Sequence, residues 1–178
     1  MAAQPVSATV TENPSVTDNP ILDFFLTYWL AKRGTRRMPA RADIAPADLK
    51  EYLGWLCFVD ALPEYEDFRF RLIGSRVADY FLSDATGLTV REAYAAAKVE
   101  EALTDAVLCI LRKTCTESVP LRVTGGGGDW RGHWYPDYDA LYLPLSENGV
   151  AANMVMGCFT FNYQAYLKTR ALSVMTRR

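Results

Sequence analysis

The distribution of strand and helix patterns along the chain constrains the fold more than any other feature. Beyond Thr116 the sequence is strand-like as far as residue 162, with alternating apolar residues over 119 to 123 and further strands expected over 130 to 145 and 150 to 162. Turn formers at 125 to 128 and at 147 to 149 separate these runs. The C-terminal part is therefore predicted to form three antiparallel strands.

Two more strands and a helical connection are predicted upstream. Residues 55 to 62 are apolar and 68 to 73 alternate, with turn formers between them, which predicts a β-hairpin. A helix is expected over about 97 to 115, where apolar residues recur at spacings of three and four. Before it, Ser75 opens a short helix, and Thr89 with Glu92 has the spacing of a capping box.

The N-terminal part carries a helix with both ends marked. Asn19 is a candidate N-cap, Pro20 suits the first helical position and Gly34 suits the residue after the end. The apolar residues of this helix cover more than one face, so we expect a second copy of the chain to pack on it through Phe25 and Trp29. A basic loop over 35 to 45 and a short helix over 46 to 54 follow.

Composition limits the class of protein. A chain of 178 residues, 50% hydrophobic and with a net charge of −2, builds one core and has no general attraction for nucleic acid. Residues 1 to 18 have no apolar periodicity and predict a disordered leader that is not a signal peptide, and no apolar run is long enough to span a membrane. The four separated cysteines argue against zinc and for a reducing compartment, so we predict a cytoplasmic protein.

This order of elements predicts the α+β class, and four segments resemble the PAS domain. They are RMPARADIAP from Arg37, FRFRLIGS from Phe68, Thr86-Gly87, and LPLSENG from Leu143. The first is similar to the hallmark of a group of small bacterial single-domain PAS proteins. The resemblance implies a five-stranded antiparallel sheet with a helical crossover and an N-terminal flanking helix. It divides the chain into a leader (1–18), flanking helices with the basic loop (19–54), a PAS core (55–162) and a tail (163–178).

The resemblance also implies where a small molecule would bind, between the inner face of the sheet and the crossover helices. The residues expected to line this pocket are Phe70, Leu72, Tyr80, Phe81, Leu103, Val107, Tyr142, Met154 and Met156. Such a set is also what a plain core looks like, so an occupied pocket and a filled interior both stay open. A ligand, if bound, is expected to be small and apolar or aromatic, because no charged group lies among these residues.

Catalytic and cofactor chemistry finds little support in the sequence. His133 is the only histidine, and it lies in a strand-like stretch, not on the crossover where PAS haem proteins place theirs. No cysteine on the crossover lies in a motif for covalent flavin attachment. The cofactor is therefore left unknown, with haem, covalent flavin and zinc disfavoured and no catalytic or metal-binding residue predicted. A small enzyme would need His133, Asp60 or Asp79 as its general base.

Two further patterns have simpler interpretations. The glycine run 125 to 128 lacks the Lys-Ser/Thr and helix start of a phosphate loop and is interpreted as a hairpin. The basic cluster 32 to 41 has no interleaved aromatic residue, so nucleic-acid binding is disfavoured. Lys32 and Arg33 are expected to complement the C-terminus of the helix, and Arg41 to hold the loop by pairing with Asp43 or with backbone carbonyls. The leading hypothesis is a non-enzymatic homodimeric sensory module that binds a small molecule or a partner protein. The alternative is a ligand-free adaptor.

Overall fold

The computed structural model describes residues 8–14, 18–81, 84–125, 128–130, 133–135 and 137–162. The strands are β1 (Ala8–Glu12), β2 (Leu56–Ala61), β3 (Phe68–Ile73), β4 (Leu121–Gly125), β5 (Gly128–Trp130), β6 (His133–Tyr135), β7 (Asp137–Leu145) and β8 (Met154–Asn162). The helices are α1 (Pro20–Arg33), α2 (Ser75–Phe81), α3 (Val90–Ala96) and α4 (Glu101–Glu117). The predicted tail from residue 163, and residues 1–7 and 15–17 of the predicted leader, lie outside the described residues.

Six strands form one antiparallel sheet in the order β1-β4-β7-β8-β2-β3, and β5 pairs with β6 as a separate hairpin. The α+β class and the antiparallel sheet are confirmed. The sixth strand, β1, differs from the sequence prediction, which placed residues 8 to 12 in a disordered leader. Its only large apolar side chain, Val10, is 44% exposed, so β1 has no buried face to produce a recognisable pattern. It is held instead by pairing with β4.

The register divides the side chains of the sheet between two faces. Residues paired across antiparallel strands share a face, so the pairs Leu143–Met156 and Leu141–Cys158 lie on one side and Tyr142–Gly157 on the other. We call the first side the α1 face. There Asn19, just before α1, donates through Nδ2 to Thr160 Oγ1 at 2.7 Å. The other side, covered by α3 and α4, is the crossover face.

Helix α1 begins and ends where its sequence predicts. The Asn19 side chain accepts hydrogen bonds from the amides of Ile21 and Leu22, and Gly34 ends the helix at φ 57°. Its buried residues are Leu22, Phe25, Leu26 and Trp29.

The dimer contact expected through Phe25 and Trp29 does not agree with this packing. Both side chains are 0% exposed within the single chain, and Trp29 Nε1 donates to the carbonyl of Pro144 at 2.9 Å. The reason is that the buried residues of α1 pack against the chain's own sheet. Neither residue is available to a second copy while α1 stays docked.

The loop between α1 and β2 contains three short 3₁₀ turns: Arg41–Asp43, Pro46–Leu49 and Leu53–Trp55. The continuous helix expected over 46 to 54 is therefore broken into two turns. Met38 is buried and the Ser146 amide donates to the Pro39 carbonyl at 2.9 Å. The segments RMPARADIAP and LPLSENG, which carried the family resemblance, thus contact each other.

The crossover helices have the predicted N-terminal signal. The Thr89 side chain accepts from the amide of Glu92 at 3.2 Å, and the Glu92 carboxylate accepts from the amide of Thr89 at 2.8 Å, which is a complete capping box. The long helix begins at Glu101, four residues later than expected, and stops at Ser118, whose φ is 55°. None of the helices in the described ranges is long and apolar enough to cross a membrane.

Candidate functional site

The candidate site is the interior between the crossover face and helices α3 and α4. Tyr94 of α3 projects into it beside Cys57 and Tyr138 and is 9% exposed. Burial, followed by the nearness of Cys57 and Tyr138, raises the pKa of the Tyr94 phenol. Burial also raises the pKa of Tyr138. Both phenols therefore stay protonated at neutral pH, as hydrogen-bonding groups in a mostly apolar interior.

Aromatic rings make up much of this interior. Tyr142 and Phe159 meet edge to face, with centroids 5.7 Å apart, and Phe159 stacks on Phe161 at 6.3 Å. All three side chains are less than 10% exposed. Contacts of this kind favour planar apolar groups, whether a neighbouring ring or a bound one.

Two buried thiols lie on the same side. Cys57, which pairs with Gly157, and Cys115 of α4 both have a pKa raised to about 12 by burial. They are neutral at physiological pH, and since the thiolate is the nucleophile, they behave as small apolar groups. Cys109, on the outer side of α4, is exposed.

The structure brings together only part of the pocket predicted from the sequence. Phe70 of β3, Val107 of α4 and Tyr142 of β7 lie on the crossover side and are buried or packed against the core. Leu103 is 38% exposed and lies on the outer side of α4. Tyr80 and Phe81 belong to α2, but their side chains lie outside the part of the chain that the structure describes.

Three predicted pocket residues lie on the opposite side of the sheet, and this is a correction. Met154 and Met156 pair with Leu145 and Leu143, so they share the α1 face. Leu72 pairs with Phe58 and Phe70 with Val59, which leaves Arg71 as an unpaired bulge residue. One extra residue reverses the side-chain alternation, so Leu72 points away from Phe70 although only two positions separate them.

Sequence reasoning missed most of the aromatic cluster. Phe159 and Phe161 occupy odd-numbered positions of β8, on the face opposite the even-numbered Met154 and Met156. Selecting the odd-numbered positions of this strand would have identified them. Tyr94 had a weaker signal, since it lies one turn into a helix whose start was predicted from its capping box. Tyr138 lies in a long predicted strand whose pattern assigns it to neither side of the sheet.

A second, polar cleft of about 360 Å³ opens at the start of α1, and its lining comprises Asn19, Asp137, Tyr138, Asp139, Thr160, Phe161 and Asn162. Beside it the Arg122 guanidinium bonds both oxygens of Asp139, at 2.9 and 2.8 Å, and both side chains are about one-fifth exposed. This network joins the first turn of α1 to β4, β7 and β8. None of the predicted pocket residues with described side chains lines the cleft.

Of the residues considered for acid–base catalysis, Asp60 and Asp79 lie outside both places. Asp60 lies on the α1 face, and its two carboxylate oxygens share the Nε–H of Arg71, at 2.9 and 3.0 Å from the nitrogen. Asp79 lies on the exposed side of α2. The main chain of His133 belongs to β6, and its side chain is outside the described part.

The arginines of the basic cluster donate hydrogen bonds to main-chain carbonyls and to one carboxylate in or next to their loop. Arg36 bonds the Lys32 carbonyl and Asp43, each at 2.7 Å, and Arg37 bonds the carbonyl of Glu117 at the end of α4. Arg41 bonds the Ile44 carbonyl at 2.9 Å and covers the Phe58 ring. The loop-holding interpretation accounts for these arginines, with Arg36 rather than Arg41 as the partner of Asp43.

An antiparallel sheet with a helical crossover on one face and an N-terminal helix on the other defines the α+β class of this domain. The family model of the PAS domain matches residues 17–160, and the chain belongs to this family. PAS domains are in general sensory or interaction modules and commonly mediate association. No curated protein and no solved structure matches the chain.

Proposed function

We propose that this chain is a non-enzymatic sensory module that binds a small aromatic or apolar molecule in the crossover interior and signals to a separate partner protein. The observation that carries the proposal is the cluster of Tyr142, Phe159 and Phe161 beside the buried phenol of Tyr94 and the partly buried phenol of Tyr138. Rings supply the contact area, and phenols supply hydrogen bonds that fix an orientation.

The sheet is a single layer, so a change on its crossover side can be transmitted directly to α1 on the other side. Adjacent residues of β7, Tyr142 and Leu143, point to the crossover interior and to α1, and the same is true of Gly157 and Met156 on β8. A ligand that shifts these two strands therefore changes the surface on which α1 docks. It shifts the population of α1 arrangements only by the difference in its affinity for them.

A ligand-free adaptor is the second candidate function, and the close contacts between the rings favour it. The ring centroids lie 5.7 and 6.3 Å apart. If these contacts between the protein's own side chains fill the interior, no ligand is needed to complete its packing. The chain would then act through its surface alone.

Native mass spectrometry of freshly purified protein, compared with a denatured sample, tests the proposal. We expect a discrete extra mass that disappears on denaturation. Phe70→Ala should lower its retention at least about ten-fold, because it removes a contact on the crossover side. Leu72→Ala is the matched control, since Leu72 lies on the same strand with its side chain on the other face, and it should retain the mass.

The adaptor would instead give the mass of the protein alone, together with an unfolding temperature that no small aromatic compound raises.

The same spectra report the number of subunits. We propose that the chain forms a homodimer through the outward side of α1, where Leu30 is 42% exposed. Leu30→Glu should then give monomers, whereas Val150→Glu, at a side chain 72% exposed elsewhere, should not.

A further inference from the structure

The edge strand β1 is held on the sheet almost entirely by its main chain. Its described side chains, from Thr9 to Glu12, are all exposed. Beyond the ladder to β4, the described part of the chain holds this segment through a hydrogen bond from the Asn13 amide to the Pro120 carbonyl at 2.9 Å and an ion pair between Glu12 and Lys113. Detaching β1 as far as Asn13 therefore removes little apolar surface from burial, and the nearest buried residue is Pro14, just beyond the strand.

The neighbouring strand β4, in contrast, belongs to the core. Leu121 and Val123 are 0% exposed, and β4 pairs with β7 along its whole length. Without β1, one side of β4 would present unpaired amides and carbonyls. At the opposite edge of the sheet, β3 is already bonded to residues of the crossover: the Phe70 amide donates to Leu88, and the Gly87 amide donates to Phe70.

We propose that β1 is a removable cover and that the edge of β4 binds, in its place, an extended segment of a partner protein. The chemistry of β1 defines the segment that fits: small and β-branched residues, with an acid at the position of Glu12. Lys113, whose side chain is 37% exposed, supplies the complementary charge. Main-chain bonds would provide affinity and the ion pair would provide register, as in strand addition generally.

The register identifies which amides of β1 hold the cover in place. Asn13 bonds Pro120, and antiparallel ladders alternate between bonded and non-bonded pairs, so Thr11 and Thr9 direct their amides at β4. Val10 and Glu12 direct theirs away. Thr11→Pro therefore removes a ladder donor, whereas Val10→Pro leaves the ladder intact because proline is tolerated at an outward position of an edge strand.

The test uses the full chain and a fluorescent peptide with the sequence of residues 6 to 14. In the unaltered chain β1 competes with the peptide, so we expect Thr11→Pro to bind it at least about ten-fold more tightly than Val10→Pro does. A peptide carrying Glu12→Lys should bind more weakly, and Lys113→Glu in the protein should restore its binding. Equal peptide affinity for the two proline variants, or none for either, overturns the proposal.

Two further measurements test the proposal, and the first of them decides it if Thr11→Pro fails to fold. In the unaltered chain the amide hydrogens of Thr9, Thr11 and Asn13 should exchange at least about ten-fold faster than those of β7; equal rates would show that β1 does not detach separately. A dimer that dissociates in Thr11→Pro would mean that β1 of a second copy occupies the edge, and this also overturns the proposal.

Discussion

Gly74, between β3 and α2, is a position where a single methyl group has no room. A Cβ there would lie 2.6 Å from the carbonyl oxygen of Gly54 and closer still to that of Leu53, both of them main-chain atoms. We expect Gly74→Ala to lower the free energy of unfolding by about 2 to 4 kcal/mol, because main chain cannot swing aside as a side chain can. Urea denaturation measures this loss.

Gly54→Ala is the control for that substitution. Its new methyl would meet the side chains of Ser75 and Arg76 at 3.3 and 3.4 Å, and these can yield. A change within about 1 kcal/mol is expected. Similar losses for the two alanine variants would mean that the close approach at Gly74 relaxes easily.

Asp43 gives the loop after α1 a dependence on pH. Its carboxylate accepts from the Ala40 amide and from Arg36, each at 2.7 Å, and in that order these bonds lower its pKa below 3.8. A carboxyl with a lowered folded-state pKa stabilises the fold above its unfolded pKa, and this stabilisation is lost as the pH falls through the folded value.

Asp43→Ala should therefore lower the urea midpoint at pH 7 and differ progressively less from the unaltered chain below about pH 4. Asp79→Ala, at an exposed carboxylate of α2, serves as the control and should change the midpoint little at either pH. A deficit in Asp43→Ala that persists unchanged in acid would show that the carboxylate charge is not the cause.

At the scale of elements, the hydrogen bond from Trp29 to Pro144 ties α1 to β7. The donor and acceptor are 2.9 Å apart and buried, so Trp29→Phe keeps most of the ring but leaves the Pro144 carbonyl without this donor. The expected loss in unfolding free energy is about 1 to 3 kcal/mol. It can be measured by chemical denaturation followed by circular dichroism.

Tyr28→Phe on the neighbouring side of α1 is the matched control. Its hydroxyl bonds Asp48 and the Ala45 amide near the surface, where water can replace it. The loss should stay within about 1 kcal/mol. If Tyr28→Phe proved the more damaging change, the loop contact and not the bond to Pro144 would be the main attachment of α1.

Local signals explain which elements could be predicted from the sequence. The caps at Asn19 and Thr89 and the alternation in β3 depend only on neighbouring residues, and they place α1, β3 and the start of α3 almost to the residue. The strand β1 has no buried face, so its position depends on pairing with a strand more than 100 residues away. No local pattern records such a contact.

The candidate site was harder to predict because alternation shows that residues share a face without showing which face it is. The choice of Met154 and Met156 over Phe159 and Phe161 was a choice between two equally apolar sets on β8. The bulge at Arg71 then separated Leu72 from Phe70. Both outcomes depend on inter-strand register, which the sequence of one strand does not contain.

At the scale of the whole molecule, buried cysteines lie on both faces of the sheet, so their rates of chemical modification measure how readily each face opens. Cys57 and Cys115 lie on the crossover side and Cys158 on the α1 face, and burial raises the pKa of all three thiols. Cys109 is exposed. A disulfide reagent at pH 8 should therefore modify one thiol rapidly and the other three only as the structure opens, because the thiolate is the reactive form.

Peptide mapping of the modified chain then shows whether the two faces open together. Trp29→Phe weakens the docking of α1, so it should accelerate modification of Cys158 more than that of Cys57, whose covering helices are unchanged. Cys109→Ser should abolish the rapid phase and leave the slow ones in place. Equal acceleration at Cys57 and Cys158 would mean that α1 and the crossover leave the sheet in one cooperative step. In that case a ligand held in the crossover interior would stabilise α1 only by opposing the unfolding of the whole domain, and α1 could not act as a separate reporter.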